Sequence, residues 1–415
     1  MRVLVVGYLA WGWLLAGTWA AEPVSGMTNG PFSVFGGMRW RTMSDPKPVA
    51  YGNEVFRPGA IWQDDNGIPI NAHGGGMLYH DGVYWWFGEH KVAGGPGNTA
   101  QVGVHAYSST NLYTWKDEGI ALAVSDDPAH DLAKGCIIER PKVIYNRGTR
   151  TFVMWFHYEK NGRYDTASAG VATAERPAGP YRYLGLQRPN AKVRPRGGSD
   201  ELMAPLSARE QEMLSKGFPK EAASRQQADV FFRRDASRGH DVRDMTLFVD
   251  DDGNAYLIHS AEQNRTLHVS RLSKDYLRPA GAFARVLEGR LFEAPAVIKQ
   301  GGKYWLFGSH CSGWAPNAGR LAVADSIFGP YTELENPWQG PTEWTGISFE
   351  SQSTFVLPIA GKSGSFIYMA DRWRPKNPID GRYVWVPVQW RENRPVLEWM
   401  DEWDLSRFGV REVKN

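Results

Sequence analysis

Short apolar segments recur along this chain, and five pairs of them are joined by turns that contain glycine or asparagine. In each pair an apolar segment precedes the turn and an aromatic segment follows it, which is typical of a β-hairpin. The pairs are LYHDGVYWWFGEHK, IYNRGTRTFVMWFHYEK, FVDDDGNAYLIHSAE, IKQGGKYWLFGSH and PIAGKSGSFIYMADRW. In several units a further segment follows, as in ATAERPAGPYRY and ADSIFGPYTEL, and it indicates an outer hairpin of the same unit.

The regular recurrence of these units predicts an all-β fold, a five-bladed β-propeller with a small helical insertion. A β-sandwich also accounts for the hairpins, but not for their repetition with a following GPY turn. We expect a single propeller domain over residues 22–415. Residues 187–240, rich in Arg, Pro and Gly, interrupt the rhythm between the second and third units.

Inside this insertion the segment LSAREQEMLSKGFP predicts a short helix. Ser207 is placed to cap its N-terminus, Glu210 completes a capping box, and Gly217 ends it. The insertion leads directly into Asp244, so it either forms a wall of a pocket or is a disordered surface loop. The sequence leaves both open.

One polar residue stands at the same place in every unit, about eight residues before the hairpin turn. In a propeller the first strand of each blade lines the central channel, so equivalent positions converge on one mouth. The sequence therefore predicts a functional site at that mouth of the channel. The five residues are His73, Glu139, Asp244, Glu293 and Gln352.

Composition narrows the function of this site. Lys plus Arg total 47 and Asp plus Glu total 45, so no strong attraction to nucleic acid or an anionic surface is expected. The 18 Trp residues fit either stacking on sugar rings or packing in an all-β core. The chain has no HExxH zinc motif, GxSxG elbow or phosphate-binding GxGxxG.

The first residues combine Arg2, an apolar stretch and small residues near Ala21. This pattern predicts a signal peptide over residues 1–21, and hence a secreted or periplasmic protein with no membrane anchor after cleavage. Only Cys136 and Cys311 are present, too few for a disulfide framework, and whether they pair is left open.

The motifs AHGGGMLYHDGVYWWFGEHK, IERPKVIYN, RDMTLFVDDDG, FEAPAVIKQGGKYW, SHCSGWAPN and YMADRWRP resemble glycoside hydrolase family 43. They are most similar to its branch of exo-β-1,3-galactanases, and the resemblance spans almost the whole mature chain. It implies a five-bladed propeller and glycoside hydrolysis with inversion. The implied partner is a galactan or the side chains of an arabinogalactan. No cofactor is implied, and a structural calcium ion in the channel is left open.

By this resemblance Glu293 of FEAP is the general acid, and Asp244 of RDMT orients it and tunes its pKa. Most of the family places a base Asp in the first unit, where this chain has NAHGGG with no carboxylate. The resemblance implies that Gln352 contacts the attacking water instead. An amide is a poor base, so the proton's destination is open between Glu89 and Glu139.

The resemblance also implies a set of residues that bind the sugar. Each has an ordinary alternative, such as pairing of Glu89 with Lys91 or of Glu139 with Arg140, and packing in the core for the aromatic residues. His73 fits a structural role at the axis better than a catalytic one. The set is Glu89, Glu139, Trp314, His73, Tyr164 and Trp373.

Two alternatives stay open. The same fold supports a β-galactofuranosidase or an α-L-arabinofuranosidase, because a change of sugar requires only altered hydroxyl contacts. The missing base Asp also allows a non-catalytic carbohydrate-binding propeller, although such a protein would have no need of both Asp244 and Glu293. A retaining enzyme would require a shorter separation of its two carboxyl groups than an inverting one.

Overall fold

A computed structural model describes residues 43–218 and 223–409, together with the backbone of a separate hairpin at 32–35 and 38–41. That hairpin consists of β1 (Phe32–Phe35) and β2 (Met38–Arg41), which pair antiparallel. The predicted signal peptide lies outside the described residues.

The body that begins at Met43 contains five sheets, which are the five blades of a β-propeller and are antiparallel except for one parallel pair in the last sheet. Blade 1 contains β3 (His73–His80), β4 (Val83–Glu89), β5 (Gly103–Ser109) and β6 (Lys116–Ala123). Blade 2 contains β7 (Ile137–Asn146), β8 (Thr151–Glu159), β9 (Ser168–Ala174) and β10 (Arg182–Gln187). Blade 3 contains β11 (Met245–Val249), β12 (Ala255–Ala261), β13 (Thr266–Leu272) and β14 (Pro279–Val286).

The last two blades continue the pattern. Blade 4 contains β15 (Phe292–Gln300), β16 (Lys303–His310), β17 (Gly319–Ala324) and β18 (Thr332–Leu334). Blade 5 contains β19 (Trp338–Gln339), β20 (Gln352–Pro358), β21 (Phe366–Arg372), β22 (Arg382–Arg391) and β23 (Arg394–Glu398). Contacts between β3, β7, β11, β15 and β20 close the inner ring. The predicted all-β, five-bladed architecture is confirmed.

Turn chemistry explains why the strands fold back where they do. In the first hairpin Asp81 and Gly82 both have positive φ, at 48° and 82°. This left-handed backbone suits the right-handed twist of the two strands, and Asp and Gly adopt it at low cost. The turn fixes the register of β3 and β4 as far as Gly76 and Phe87, and a bulge beyond Gly76 shifts the pairing so that His73 lies opposite Glu89.

The ring closes through segments on either side of the blades. The backbone of Phe56, ahead of blade 1, exchanges hydrogen bonds of 2.8 and 3.0 Å with Trp403, which follows blade 5. An apolar cluster beneath this junction contains Trp62, Trp86, Trp115, Trp385 and Trp403. The tryptophan content therefore serves mainly the core. In the described part of the chain eight tryptophans are buried, and only Trp314 is exposed, at 40%.

The insertion contains two helices, α1 (Ala208–Lys216) and α2 (Arg225–Asp235). The predicted helix is confirmed as α1, since Ser207 and Glu210 form the reciprocal capping box and Gly217 has φ of 79°. Helix α2 was not predicted. Ser224 caps its N-terminus, and its Phe232 packs against Phe283 of blade 3, so tertiary contacts add to the local cap.

One further short helix, α3 (Thr342–Thr345), lies between β19 and β20. Short 3₁₀ turns occur at Lys160–Gly162, Asp200–Met203 and Leu405–Phe408. None of the helices among the described residues has the length and apolar character needed to span a membrane.

Candidate active site

Each predicted residue at the mouth stands where an innermost strand begins, and a β-bulge follows it in four of the blades. The pairing shifts after His73, after Glu139, after Glu293 and between Ser353 and Phe355. A bulge leaves one residue without a partner and re-aims the side chains beside it. The bulges therefore turn residues at the starts of four separate strands toward one cavity.

The bulged residues also present their backbone N–H groups to carboxylates of the neighbouring blade. Gly74 N donates to Asp371 Oδ2 at 2.5 Å, and Arg140 N donates to Glu89 Oε1 at 2.9 Å. Ala294 N donates to Asp244 Oδ2 at 3.1 Å. The three bulged residues have φ between 54° and 60°, a conformation that is uncommon for Arg and Ala. The fold accepts this strain at the positions that hold the acids of the site.

Arg140 links the blades at the centre of the mouth. Its Nη1 donates to Ser353 O at 2.7 Å, and its Nη2 contacts both Asp244 Oδ2, at 3.0 Å, and Gln352 Oε1. The side chain is 4% exposed. A buried guanidinium that spans three blades fixes the relative positions of Asp244 and Gln352.

Glu293 is partly buried, and its hydrogen-bond donors among the described residues are uncharged, namely two amides and the thiol of Cys311. Gln352 Nε2 donates to Oε1 at 3.0 Å, and Asn264 Nδ2 donates to Oε2 at 3.3 Å. Burial, and then the negative charge of Asp244, raise the pKa of Glu293 to about 8. At neutral pH this carboxyl is therefore largely protonated, as a proton donor requires.

The amide of Gln352 has a defined orientation. Its Nε2 also donates to Ser309 Oγ at 3.0 Å, while its Oε1 accepts from Arg140 and from Trp373 Nε1 at 3.3 Å. Arg140 can only donate, so the oxygen must face it. Gln352 therefore presents N–H groups toward Glu293 and cannot readily accept a proton on the oxygen.

The two candidate proton acceptors differ in charge environment. Glu89 pairs with Lys91 Nζ at 2.6 Å, yet its burial outweighs that pair and raises its pKa. Burial alone would also raise the pKa of Glu139, but a hydrogen bond from His157 and its positive charge lower it to about 2. Glu139 also accepts from Tyr164 Oη. The alternative pairing with Lys91 is present for Glu89, whereas Glu139 pairs with His157 rather than with Arg140.

Aromatic rings form one wall of the mouth. Trp314 meets Trp373 edge-to-face, with ring centroids 5.4 Å apart, and Trp373 stacks on His73 at 5.2 Å. Trp314 and Tyr164 are 40% and 44% exposed, so they can contact a ligand, whereas His73 is 1% exposed beneath Trp373. Burial lowers the pKa of His73 to about 3, which leaves it neutral and fits its structural alternative.

Several residues of the site were not predicted, and most share one property. They stand opposite a predicted residue in the hairpin register, but the bulge shifts each pairing by one residue, so counting across the turn alone would have named the residue after each of them. Asp371 faces Gln352, Ser309 faces Glu293 and His157 faces Glu139. The sequence gives only a weak indication that Arg140 and Lys142 belong to the site. They follow Glu139 in the motif IERPK, but whether they are buried depends on the bulge.

Glu139, His157 and Asp244 bring potential metal-ligand atoms within 4.8 Å of one another. These atoms already have protein partners, because His157 lies between Glu139 and Glu159 at 3.2 and 3.1 Å. Asp244 is held by Arg140 and Ala294. The cluster is thus satisfied as a hydrogen-bonded network. Cys136 and Cys311 are both free thiols.

Comparison with known proteins identifies the family. Residues 235–395 match the family model for glycosyl hydrolases family 43. A family 43 β-1,3-galactosidase solved with galactodeoxynojirimycin is 46% identical, with a TM-score of 0.79, over 84% of this chain and 100% of that one. A variant of the exo-β-1,3-galactanase from Phanerochaete chrysosporium, solved with β-1,3-galactotriose, is 30% identical, with a TM-score of 0.68, over 85% and 68%. The exo-β-1,3-galactanase from Clostridium thermocellum is 32% identical, with a TM-score of 0.67, over 84% and 66%. No curated protein matches the chain. The chain belongs to glycoside hydrolase family 43 and is a glycoside hydrolase.

Proposed function

We propose that this protein is an exo-β-1,3-galactanase that releases single galactose units from β-1,3-galactan, the backbone of arabinogalactan. The structural neighbours supply the sugar, since three of them are named for β-1,3-galactoside or β-1,3-galactan hydrolysis. The observation that carries the catalytic assignment is the carboxyl of Glu293, which lies out of solvent beside Asp244 and has only uncharged donors. Such a group keeps its proton at the pH where the enzyme acts.

In the proposed reaction Glu293 gives its proton to the glycosidic oxygen as the bond from that oxygen to the anomeric carbon breaks. Water adds to the opposite face of the anomeric carbon, which inverts its configuration. Asp244 pairs with Arg140 at 3.0 Å, and its negative charge helps to raise the pKa of Glu293. Each role uses a charge state that the surrounding contacts favour.

Gln352 contacts the attacking water once substrate binding frees an N–H of its amide from Glu293 or Ser309, and it does not deprotonate that water. Its oxygen already accepts from Arg140 and Trp373, which lowers its basicity. The proton of the attacking water passes to Glu89, because the carboxylate with the higher pKa is the better base. Burial raises the pKa of Glu89, whereas His157 lowers the pKa of Glu139 to about 2. Glu139 instead remains charged and accepts hydrogen bonds from sugar hydroxyls. A hydrogen bond to a charged acceptor is about twice as strong as one to a neutral acceptor.

The aromatic wall completes the binding site. Trp314 offers an exposed ring face on which the apolar side of galactose stacks. Trp373 supports Trp314 from beneath, and the hydroxyl of Tyr164 orients Glu139. His73 supports Trp373 from within the protein and does not contact the sugar.

The test is product analysis with linear and side-branched β-1,3-galactan, followed by NMR of the newly released sugar. Release of galactose monomers that are initially in the α configuration supports the proposal. A parallel panel of β-galactofuranosides and α-L-arabinofuranosides tests the alternative specificities. Faster hydrolysis of either furanoside than of β-1,3-galactan would overturn the galactan assignment while leaving the role of Glu293 intact.

We also propose that residues 1–21 direct secretion or periplasmic export and are then removed. The apolar stretch after Arg2 supports this. N-terminal sequencing of protein recovered outside the cytoplasm is the test, and an intact Met1 there would contradict it.

A further inference from the structure

Lys142 is a buried lysine of blade 2 that the reaction does not use. It follows the bulge at Arg140 on β7 and is 1% exposed. Its stem passes Gly76 of blade 1 so closely that a Cβ atom on Gly76 would lie 2.3 Å from Lys142 Cδ. A glycine at this position therefore makes room for the lysine.

The ammonium group of Lys142 has carbonyl oxygens as partners rather than a carboxylate. Nζ donates to Gly74 O at 2.8 Å and to Arg140 O at 3.4 Å. In the described part of the chain no carboxylate oxygen lies within 4.0 Å of Nζ. Burying a cation without a direct ion pair costs free energy, so the presence of a buried ammonium group here needs an explanation.

The two carbonyls belong to bulged residues that hold acids of the site. The N–H of Gly74 binds Asp371, and the N–H of Arg140 binds Glu89. Lys142 thus joins the bulges of blades 1 and 2 from beneath. A shift of the bulge at Arg140 would move Glu89 and the guanidinium of Arg140 together, and a shift of the bulge at Gly74 would move Asp371.

A calcium ion at this position does not fit the residues present. Calcium prefers six to eight oxygen ligands. Here two carbonyls are occupied by an ammonium group, and the guanidinium of Arg140 adds a second positive charge nearby. A divalent cation would be repelled by both.

We propose that the ammonium group of Lys142 is the built-in cation of the propeller axis, which positions Glu89 and Arg140 so that hydrolysis needs no metal ion. Burial, and then Arg140, lower the pKa of Lys142 to about 7, while Glu89, Asp371 and Asp244 act in the opposite direction. The acids at the mouth therefore help to keep the ammonium charged. This inference rests on the hydrolase site but not on which sugar it cleaves.

The first experiment measures metal dependence of the unmodified enzyme. After dialysis against EDTA, activity on any substrate that it hydrolyses should stay within about twofold, and elemental analysis should find no stoichiometric calcium. Loss of activity in EDTA with recovery on adding calcium would overturn the proposal. This arm needs no variant, so it decides the metal question even if Lys142 variants fail to fold.

The second experiment uses Lys142→Met, which keeps the length of the side chain and removes its charge. We expect kcat/KM per folded molecule to fall about 10- to 100-fold, as for loss of other groups that orient a site. The acidic limb of the pH profile should move to higher pH, because Glu89 and Asp371 lose a nearby cation. Simple destabilisation would not shift that limb.

Lys299→Met is the matched control. Lys299 lies on the innermost strand of blade 4 and pairs with Asp250 at 2.6 Å, near the end of β15 that is remote from Glu293. Its loss should leave kcat/KM within about twofold. An unchanged kcat/KM and acidic limb in Lys142→Met would refute the positioning role. If the galactan assignment is wrong, the enzyme will hydrolyse another glycoside faster than β-1,3-galactan. Lys142→Met will still lower kcat/KM on that substrate, and Lys299→Met will still leave it unchanged.

Discussion

Two buried glutamates in this protein have opposite surroundings. Glu262, in the turn between β12 and β13, is 0% exposed and accepts from Arg285 Nε and Nη2 at 2.7 and 2.8 Å and from His268 at 2.9 Å. Glu293, about thirty residues further on, accepts within the described part of the chain from uncharged groups, the amides of Asn264 and Gln352 and the thiol of Cys311. Burial is common to both, so the charge of the partners distinguishes a structural acid from a proton donor.

Glu262 stabilises the fold, whereas the surroundings of Glu293 destabilise its ionised form. A bidentate guanidinium offsets the desolvation of Glu262 and anchors the turn that carries Asn264. Among the residues that the structure describes, no cation lies within 4.0 Å of the carboxylate of Glu293, and Asp244 adds a negative charge. Replacing each glutamate by the isosteric glutamine therefore separates stability from catalysis.

The largest effect is expected for Glu293→Gln. Removing the proton donor should lower kcat about 10²- to 10⁴-fold on galactan, since general acid catalysis contributes factors of that size. The fold should be unchanged by circular dichroism. A galactoside with a strongly activated leaving group needs no proton, so its hydrolysis should be much less affected. Equal losses on both substrates would contradict the role of Glu293 as acid.

Glu262→Gln should change stability instead. Removing one charge of a buried pair leaves Arg285 with Asp229 as its remaining carboxylate, at 2.7 Å. We expect a loss of about 3 kcal/mol in unfolding free energy, as for other broken buried pairs. Denaturant unfolding measures this, and kcat of the folded fraction should change less than tenfold. A catalytic loss as large as that of Glu293→Gln would erase the distinction between the two acids.

Glu89→Gln and Glu139→Gln sharpen the comparison inside the mouth. Because Glu89 is the proposed proton acceptor, its replacement should mainly lower kcat, by about 10- to 100-fold. Glu139→Gln should mainly raise KM, since a neutral amide accepts weaker hydrogen bonds from the sugar. Steady-state kinetics on one substrate separates kcat from KM, and the reverse pattern would assign the proton to Glu139.

The smallest effect is a shift in the pH profile. The pKa of Glu293 is raised to about 8, so its acid form predominates below that pH and is lost as pH rises through it. The alkaline limb of kcat/KM should fall between about pH 7 and about pH 8, because the ammonium group of Lys142, with a pKa of about 7, loses its charge in the same range. In Asp244→Asn the limb should move to lower pH, because the charge that raises the pKa is gone. The control is a galactoside with an activated leaving group, whose hydrolysis needs no proton from Glu293. An alkaline decrease in kcat/KM that persists with this substrate is therefore assigned to loss of the charge of Lys142.

Local patterns predicted the parts of the fold that depend on neighbours in sequence. The five hairpins are confirmed because alternation and turn residues act over a few positions. Helix α1 is confirmed because its capping box is local. Helix α2 was missed because part of its stability comes from Phe283, far away in the chain. The tryptophans could not be divided between core and surface until the blades were assembled.

The sequence by itself determined the repeated hairpins and the type of polar residue at the start of each innermost strand. Only the tertiary structure decided which of these acids is charged. Glu293 keeps its proton, while Glu139 is held ionised by His157, which faces it across a hairpin. The reason is physical, because a pKa depends on desolvation and on charges within a few ångströms, and those come from blades far apart in the chain. The same holds for Lys142, whose partners became visible only when two bulges met at the axis.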